Sequence, residues 1–319
     1  MSAPSSGGAS RDGDGRALLR LSEDPRVVVL DADLGKSTKS YYFRTEHPER
    51  TVSLGVAEQN MMLVAAGMAS SGKIPFASTF AIFSERAFEQ IRNAIARPGL
   101  AVHVCGSHGG IHTGSDGSSA QSIEDLAIYR TLPGMTVVHP CDDLAAEELT
   151  LQLKDIDGPS YMRTARNRTR RIYDDDSVRG LKIGSGSVLR EGGDVAILSC
   201  GVMVEQALDA AFDLSKEGIE STVVDMHTIK PLDAPMLHRV TEECGCLVTA
   251  EDHSVIGGLG GAIAEWLSLN RPIPLEMVGV ADRFGESGDP DDLMQIMGLT
   301  SAEIYTAAKR AIDRRNTIP

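Results

Sequence analysis

Val56-Ala57-Glu58-Gln59-Asn60, inside the segment Val52–Arg92, is the stretch on which the reading of this chain turns. Glu58 opens a run of small and apolar residues, Met61 to Ser71 (Met-Met-Leu-Val-Ala-Ala-Gly-Met-Ala-Ser-Ser), which predicts a buried helix needing close backbone approach. Downstream, Ser78-Thr79-Phe80-Ala81-Ile82-Phe83 reads as an apolar turn with two aromatics three positions apart. A carboxylate entering a buried helix, followed by an aromatic platform, suits a flat, basic, heteroaromatic ring. Taken alone, a Glu at a helix N-terminus is more often a dipole partner or a cap.

Upstream, Val27 to Leu30 is a continuous apolar run, the pattern of a strand buried on both faces of a parallel sheet. It ends in Asp31-Ala32-Asp33-Leu34-Gly35-Lys36-Ser37, a polar loop at a strand C-terminus, where α/β proteins place ligands. For Asp33, turn and capping chemistry is an equal alternative. Arg11 to Leu21 reads as a helix, and Glu85 to Ala96 as another with Phe88, Ile91 and Ile95 on one face. The strand Ala101–Cys105 runs into a glycine-rich loop holding His108, His112 and Asp116. That loop is too pliant for a metal site, so no metal ligands are expected in this chain. Farther on, Arg163, Arg166, Arg168, Arg170 and Arg171 lie within nine residues, either a solvated linker face or a seat for an anion.

Past Tyr173 the composition turns to Asp, Gly and Ser, then strand and helix patterns resume. The expected organisation is a disordered tail at 1–10, a first domain at 11–172, a linker at 173–193 and a second domain at 194–319. Both domains read as α/β units of three αβα layers around mainly parallel sheets. The run Gly257-Gly258-Leu259-Gly260-Gly261 lacks the G-x-G-x-x-G spacing of a dinucleotide site, so a tight turn with close helix–sheet packing is expected.

The 319-residue length suits two domains, and 42% hydrophobic with 24% charged residues is ordinary for a globular chain. A net charge of −14 argues against a nucleic-acid surface. The five scattered cysteines read as free thiols in a reducing compartment, and no apolar run is long enough to span a membrane. A cytoplasmic protein is expected.

Taken together, these segments resemble the pyrimidine-binding and C-terminal part of transketolase, in the version split between two polypeptides. The similarity runs from Arg11 to about Ala308. It implies that Glu58 touches N1′ of the thiamine aminopyrimidine and drives the ring to its imino tautomer, which requires a partly protonated carboxylate. It implies that Phe80 and Phe83 stack on that ring and that Asp33 lies against the cofactor. Arg86 stands where many full-length transketolases carry a cofactor-side aromatic. Arg11, Ser37, His108 and Arg166 match sugar-phosphate contacts, and Asp116 matches the aspartate facing a substrate hydroxyl.

Two departures shape the expectation. Ala120 stands where a substrate-contacting histidine belongs, so either His112 compensates from the same loop or the donor is not an ordinary ketose phosphate. Gly13-Asp14-Gly15 imitates the family's diphosphate and Mg2+ motif, but the first asparagine is Asn60 and a strand follows too soon, so it reads as a decoy. The resemblance therefore implies thiamine diphosphate with its Mg2+ and diphosphate held mainly by an N-terminal-section partner subunit carrying Gly-Asp-Gly…Asn, in an α2β2 heterotetramer. The implied reaction moves a two-carbon ketol unit from a ketose phosphate to an aldose acceptor. Alternatives are a relative with a pyruvate-like donor, similar to 1-deoxyxylulose-5-phosphate synthase, and a non-catalytic subunit that only completes an oligomer.

Overall fold

Strings of β-branched and apolar residues build the two main sheets of this computed structural model, which describes residues 6–317; a third sheet has two strands. The first half contains β1 (Ser6–Ala9), β2 (Val27–Asp31), β3 (Thr51–Ser53), β4 (Ile74–Phe80), β5 (His103–Ser107), β6 (Thr136–Val138), β7 (Ser160–Thr164) and β8 (Arg168–Arg170). The second contains β9 (Ser187–Arg190), β10 (Val195–Ser199), β11 (Ser221–Asp225), β12 (Thr228–Lys230), β13 (Leu247–Ser254) and β14 (Leu275–Val280). The larger sheet has the order β12-β6-β7-β5-β4-β2-β3, and the smaller β14-β13-β10-β11-β9. All pairings in them are parallel except β12 on β6 and β9 on β11. Every residue of β2, β5, β7, β10 and β11 is buried, as strands covered by helices on both faces must be.

The halves are not cleanly separated. β12 comes from the second half yet extends the first sheet, and Lys230 Nζ donates to the Arg130 carbonyl at 2.9 Å. Two expected boundaries are corrected. Residues 1–5 of the expected tail lie outside the described residues, but Ser6–Ala9 pair antiparallel with β8 and Ser10 already starts a helix. Inside the expected linker, Ser187–Arg190 is the edge strand of the second sheet.

The Gly13-Asp14-Gly15 segment lies in the Ser10–Leu21 helix, where a Cβ on Gly13 would come 1.9 Å from the Asp143 carbonyl oxygen. The glycine lets this helix press on the Asp143–Leu153 helix. Asp14 is buried between them, accepting a 3.0 Å hydrogen bond from Thr150 Oγ1, so the segment is packing and not a ligand loop.

Glu251 occupies the start of the Leu259–Asn270 helix, accepting from the Leu259 and Gly260 amides at 2.7 and 2.8 Å. Its carboxylate takes the place a phosphate would need. A Cβ on Gly260 would lie 2.8 Å from Met277 Sδ, the close helix–sheet packing expected of this glycine run. All five cysteines are free and buried. Among the described residues no helix is long and apolar enough to cross a membrane.

Two helices differ from expectation. The Glu58–Ser70 helix buries one face, through Met61, Met62, Ala65 and Ala66, while Leu63 remains 49% exposed. Beyond Phe88–Gln90, residues Ile91–Ala96 wind as a π-helix that still buries Ile91 and Ile95.

Candidate active site

Adjacent parallel strands bring their C-terminal ends to one crest of the larger sheet. Asp31 ends β2, Phe80 ends β4, Ser107 ends β5 and Thr164 ends β7, and these strands are neighbours in the order β7-β5-β4-β2. The chain moves outward from β2 to β3 and then returns to the other side of β2 with β4, so the crest contains a topological switch point. Asp33, Phe80, His108 and Arg166 follow from these strand ends.

At the β2 end, Asp31 is the turn-former. Its carboxylate accepts the Asp33 amide at 2.8 Å and Ser53 Oγ–H at 3.0 Å, holding Asp33 at φ 64°. Asp33 is thereby spared the capping role and left exposed. It lines a cavity of about 620 Å³ with Asp31, Lys36, Ser37, Tyr41 and Arg44.

Glu58 is the first residue of its helix and only 3% exposed, but it neither caps the helix nor pairs with another residue among those described. Its carboxylate oxygens are not sealed from solvent, so a group arriving from outside the chain can reach them.

The aromatic platform is a near-parallel stack. Phe80 and Phe83 have centroids 5.5 Å apart with planes 9° apart, and His108 lies on the other ring contact of Phe80 at 3.9 Å and 19°. His108 sits at φ 63° and is 2% exposed. Its Nε2 is 3.3 Å from Arg11 Nη1 and its Nδ1 is 2.8 Å from Ser107 Oγ. A guanidinium only donates, so Nε2 accepts and Nδ1–H donates to Ser107. Burial, then the cations Arg11, Arg166 and Lys39, push His108 down to about 3, so the ring is neutral. Arg11 also donates to the Ser37 carbonyl at 2.9 Å, and burial with nearby Arg166 lowers its pKa. Arg166 lies 3.6 Å from Asp116 and donates to the Thr113 carbonyl at 3.3 Å. Arg11, Ser37, His108, Asp116 and Arg166 are thus one cluster with an excess of cations, suited to an oxyanion.

Other expected residues fall elsewhere. The His112 ring lines a separate cavity of about 320 Å³ with Glu205, Gln206 and Asp291, so it does not take the place of the histidine missing at Ala120. Arg86 is exposed beyond the Ala81–Glu85 helix. Of the other arginines of the basic run, Arg163 is fully buried against Asp125 at 3.2 Å, Arg170 and Arg171 pair with Asp209 and Asp143, and Arg168 is exposed.

Glu85 is a group that sequence reasoning passed over. It accepts a hydrogen bond from Ser122 Oγ, and burial, reinforced by Asp125 and Glu124, pushes it up to about 8. Nothing in its local sequence marks it, because the acids around it arrive from a different segment.

Comparison with known proteins bears on this crest. Residues 11–171 match the family model "Transketolase, pyrimidine binding domain", and residues 184–304 match "Transketolase, C-terminal domain". The chain belongs to the transketolase family. It is 44% identical over 295 residues to the 6-deoxy-6-sulfo-D-fructose transketolase subunit of Clostridium sp. (strain MSTE9), covering 92% of this chain and 91% of that one. It is 42% identical over 308 residues to the putative transketolase C-terminal section of Methanocaldococcus jannaschii, covering 95% of each. A solved split gene transketolase, described as an inactive β4 tetramer, superposes with a TM-score of 0.88 at 44% identity, covering 97% of this chain and 99% of that one.

Transketolases depend on thiamine diphosphate, and this crest has groups that suit its pyrimidine end: a buried Glu58 with no partner among the described residues, a stacked aromatic pair and an exposed Asp33. Among the described residues no group of three or more His, Cys, Asp or Glu side chains is placed to hold a metal ion.

Proposed function

We propose that this chain is the pyrimidine-side subunit of a split, thiamine diphosphate-dependent transketolase, active with an N-terminal-section partner that holds the diphosphate and Mg2+. The observation that carries this reading is Glu58, buried at a helix N-terminus with no partner among the described residues. Bound thiamine diphosphate would supply the nucleophilic carbon that receives the two-carbon ketol unit. Glu58 holds the proton at ring nitrogen N1′, and Phe80 and Phe83 fix the plane of the pyrimidine. Asp33 lies beside the cofactor at the crest. Arg11, Ser37, His108 and Arg166 surround the anionic end of the sugar; the two guanidinium groups carry the attraction, and neutral His108 adds no charge. Asp116 faces a substrate hydroxyl and selects its configuration.

The expected assembly is an α2β2 heterotetramer. The chain mixed with thiamine diphosphate and Mg2+ alone should show no ketol transfer, and adding the partner subunit should restore it. A partner fully active by itself would instead make this chain a non-catalytic completion of the oligomer.

Ala120 favours a second reading of the donor. A methyl group makes no hydrogen bond to a donor hydroxyl, and His112 is turned to another cavity. The donor then differs from an ordinary ketose phosphate: a sulfonated ketose such as the one in the name of the clostridial relative, or a pyruvate-like compound. Either sulfonate or phosphate suits the Arg11–Arg166 cluster. Assaying the reconstituted pair with 6-deoxy-6-sulfofructose, ketose phosphates and pyruvate separates these donors.

A further inference from the structure

The loop that carries His108 and Asp116 is held from outside its own domain at both ends. On its first side, the Asp252 carboxylate, at the end of β13 and 1% exposed, accepts the Ile111 amide at 2.8 Å and the His112 amide at 3.0 Å. Gly110, at φ 84°, permits this approach: a Cβ there would lie 2.2 Å from Asp252 Oδ2. The Asp252 carbonyl accepts from buried Arg163 at 2.7 Å, and Arg163 reaches the Ser122 carbonyl at 2.6 Å, the same oxygen that accepts the Gly110 amide at 2.7 Å. On its far side, Gln121 Nε2 donates to the Gly114 carbonyl and to the Glu286 carbonyl, each at 2.9 Å. A Cβ on Gly285 would strike Gln121 Oε1 at 1.9 Å, and one on Gly117 would lie 2.4 Å from Ser287 Oγ.

We infer that Asp252 and Gln121 are positioning residues for donor recognition, through which the second domain sets the placement of the substrate-facing loop. This rests on the reading of His108 and Asp116 as substrate contacts. Neither Asp252 nor Gln121 reaches the anion cluster; each acts by fixing backbone on which Asp116 and the Thr113 carbonyl are carried. The Thr113 carbonyl in turn receives Arg166, so a slack loop would loosen the phosphate-side arginine as well.

The test compares wild type with Asp252→Asn, which spoils one of two backbone acceptors, and Gln121→Glu, which removes the donor to both carbonyls. In the pair reconstituted with the N-terminal-section subunit, thiamine diphosphate and Mg2+, each should raise the donor KM about tenfold, the effect of one good hydrogen bond. Turnover number and cofactor affinity should change by less than about threefold. In the chain alone, hydrogen exchange of residues 109–121 should speed up about tenfold while β4 and β10 keep wild-type protection. Wild-type KM with wild-type exchange in both variants overturns the inference. So does exchange that rises equally in β4 and β10, since that marks a general structural role. A wild-type pair without ketol transfer overturns the function reading and the donor role with it, and the loop exchange, which needs no activity, still shows whether the clamp exists.

Discussion

Glu58 illustrates how much one carboxylate can carry. It stands 3% exposed as the first residue of a helix and makes no hydrogen bond or ion pair among the described residues. The helix does not need its side chain, because it caps nothing. Glu58→Ala should therefore leave the fold intact, with a melting temperature near wild type, while ketol transfer by the reconstituted pair drops by about 10²–10⁴-fold. Glu85 makes a different prediction. Its pKa in the folded chain is raised from 4.5 to about 8, so between those values the folded state keeps a proton that the unfolded state has released. Stability from this group is present at acid pH and is lost as pH rises through that window. Glu85→Gln removes the loss, so the variant's melting temperature relative to wild type should climb from about pH 5 to about pH 8. A difference that stays flat across that range would count against a half-buried, proton-holding Glu85.

At the scale of elements, two helical glycines should respond in opposite directions to the same substitution. Gly13 lies where the Ser10–Leu21 and Asp143–Leu153 helices cross, and an added methyl meets a backbone carbonyl that has no room to retreat. Gly13→Ala should cost about 1–3 kcal/mol. Gly67 is exposed on the Glu58–Ser70 helix with nothing within 4 Å of a new Cβ, so Gly67→Ala should gain about 0.5–1 kcal/mol by helix propensity. Urea midpoints of the chain alone check both. The contrast also shows where sequence reading worked and where it strayed. Small residues signalled close approach in the helix after Glu58, yet nothing in this chain presses on it at Gly67, while the tight crossing at Gly13 was not signalled. The helix that begins at Glu58 leaves Leu63 half exposed and follows Val56, which is 78% exposed. Its apolar composition overstated how much of it this chain alone covers.

At the scale of the whole molecule, the two halves share a sheet edge and the loop after β5. The half-site reading predicts that the chain and its N-terminal-section partner sediment together as a two-plus-two assembly only when mixed. It also predicts that the cofactor binds tightly to the mixture and weakly to either part. Sedimentation velocity with and without thiamine diphosphate and Mg2+ checks this, and tight binding of the whole cofactor by this chain alone would defeat it.

What the amino-acid order determined by itself was local and periodic. Apolar runs closed by polar loops placed parallel strands, and Asp33, Phe80 and His108 stand at or just past strand ends, where such a sheet opens. The same order marked Gly13-Asp14-Gly15 as no ligand motif, since no asparagine followed in time. Only the tertiary structure decided which polar groups meet. It turned His112 away from the crest, gave the turn to Asp31 in place of Asp33, and brought Glu85 beside Ser122 and Asp125. It also let Asp252, more than a hundred residues away, hold the loop of His108. Strand and helix patterns follow from the chain's neighbours in sequence, but burial, charge pairing and proton affinity depend on groups that become neighbours only on folding.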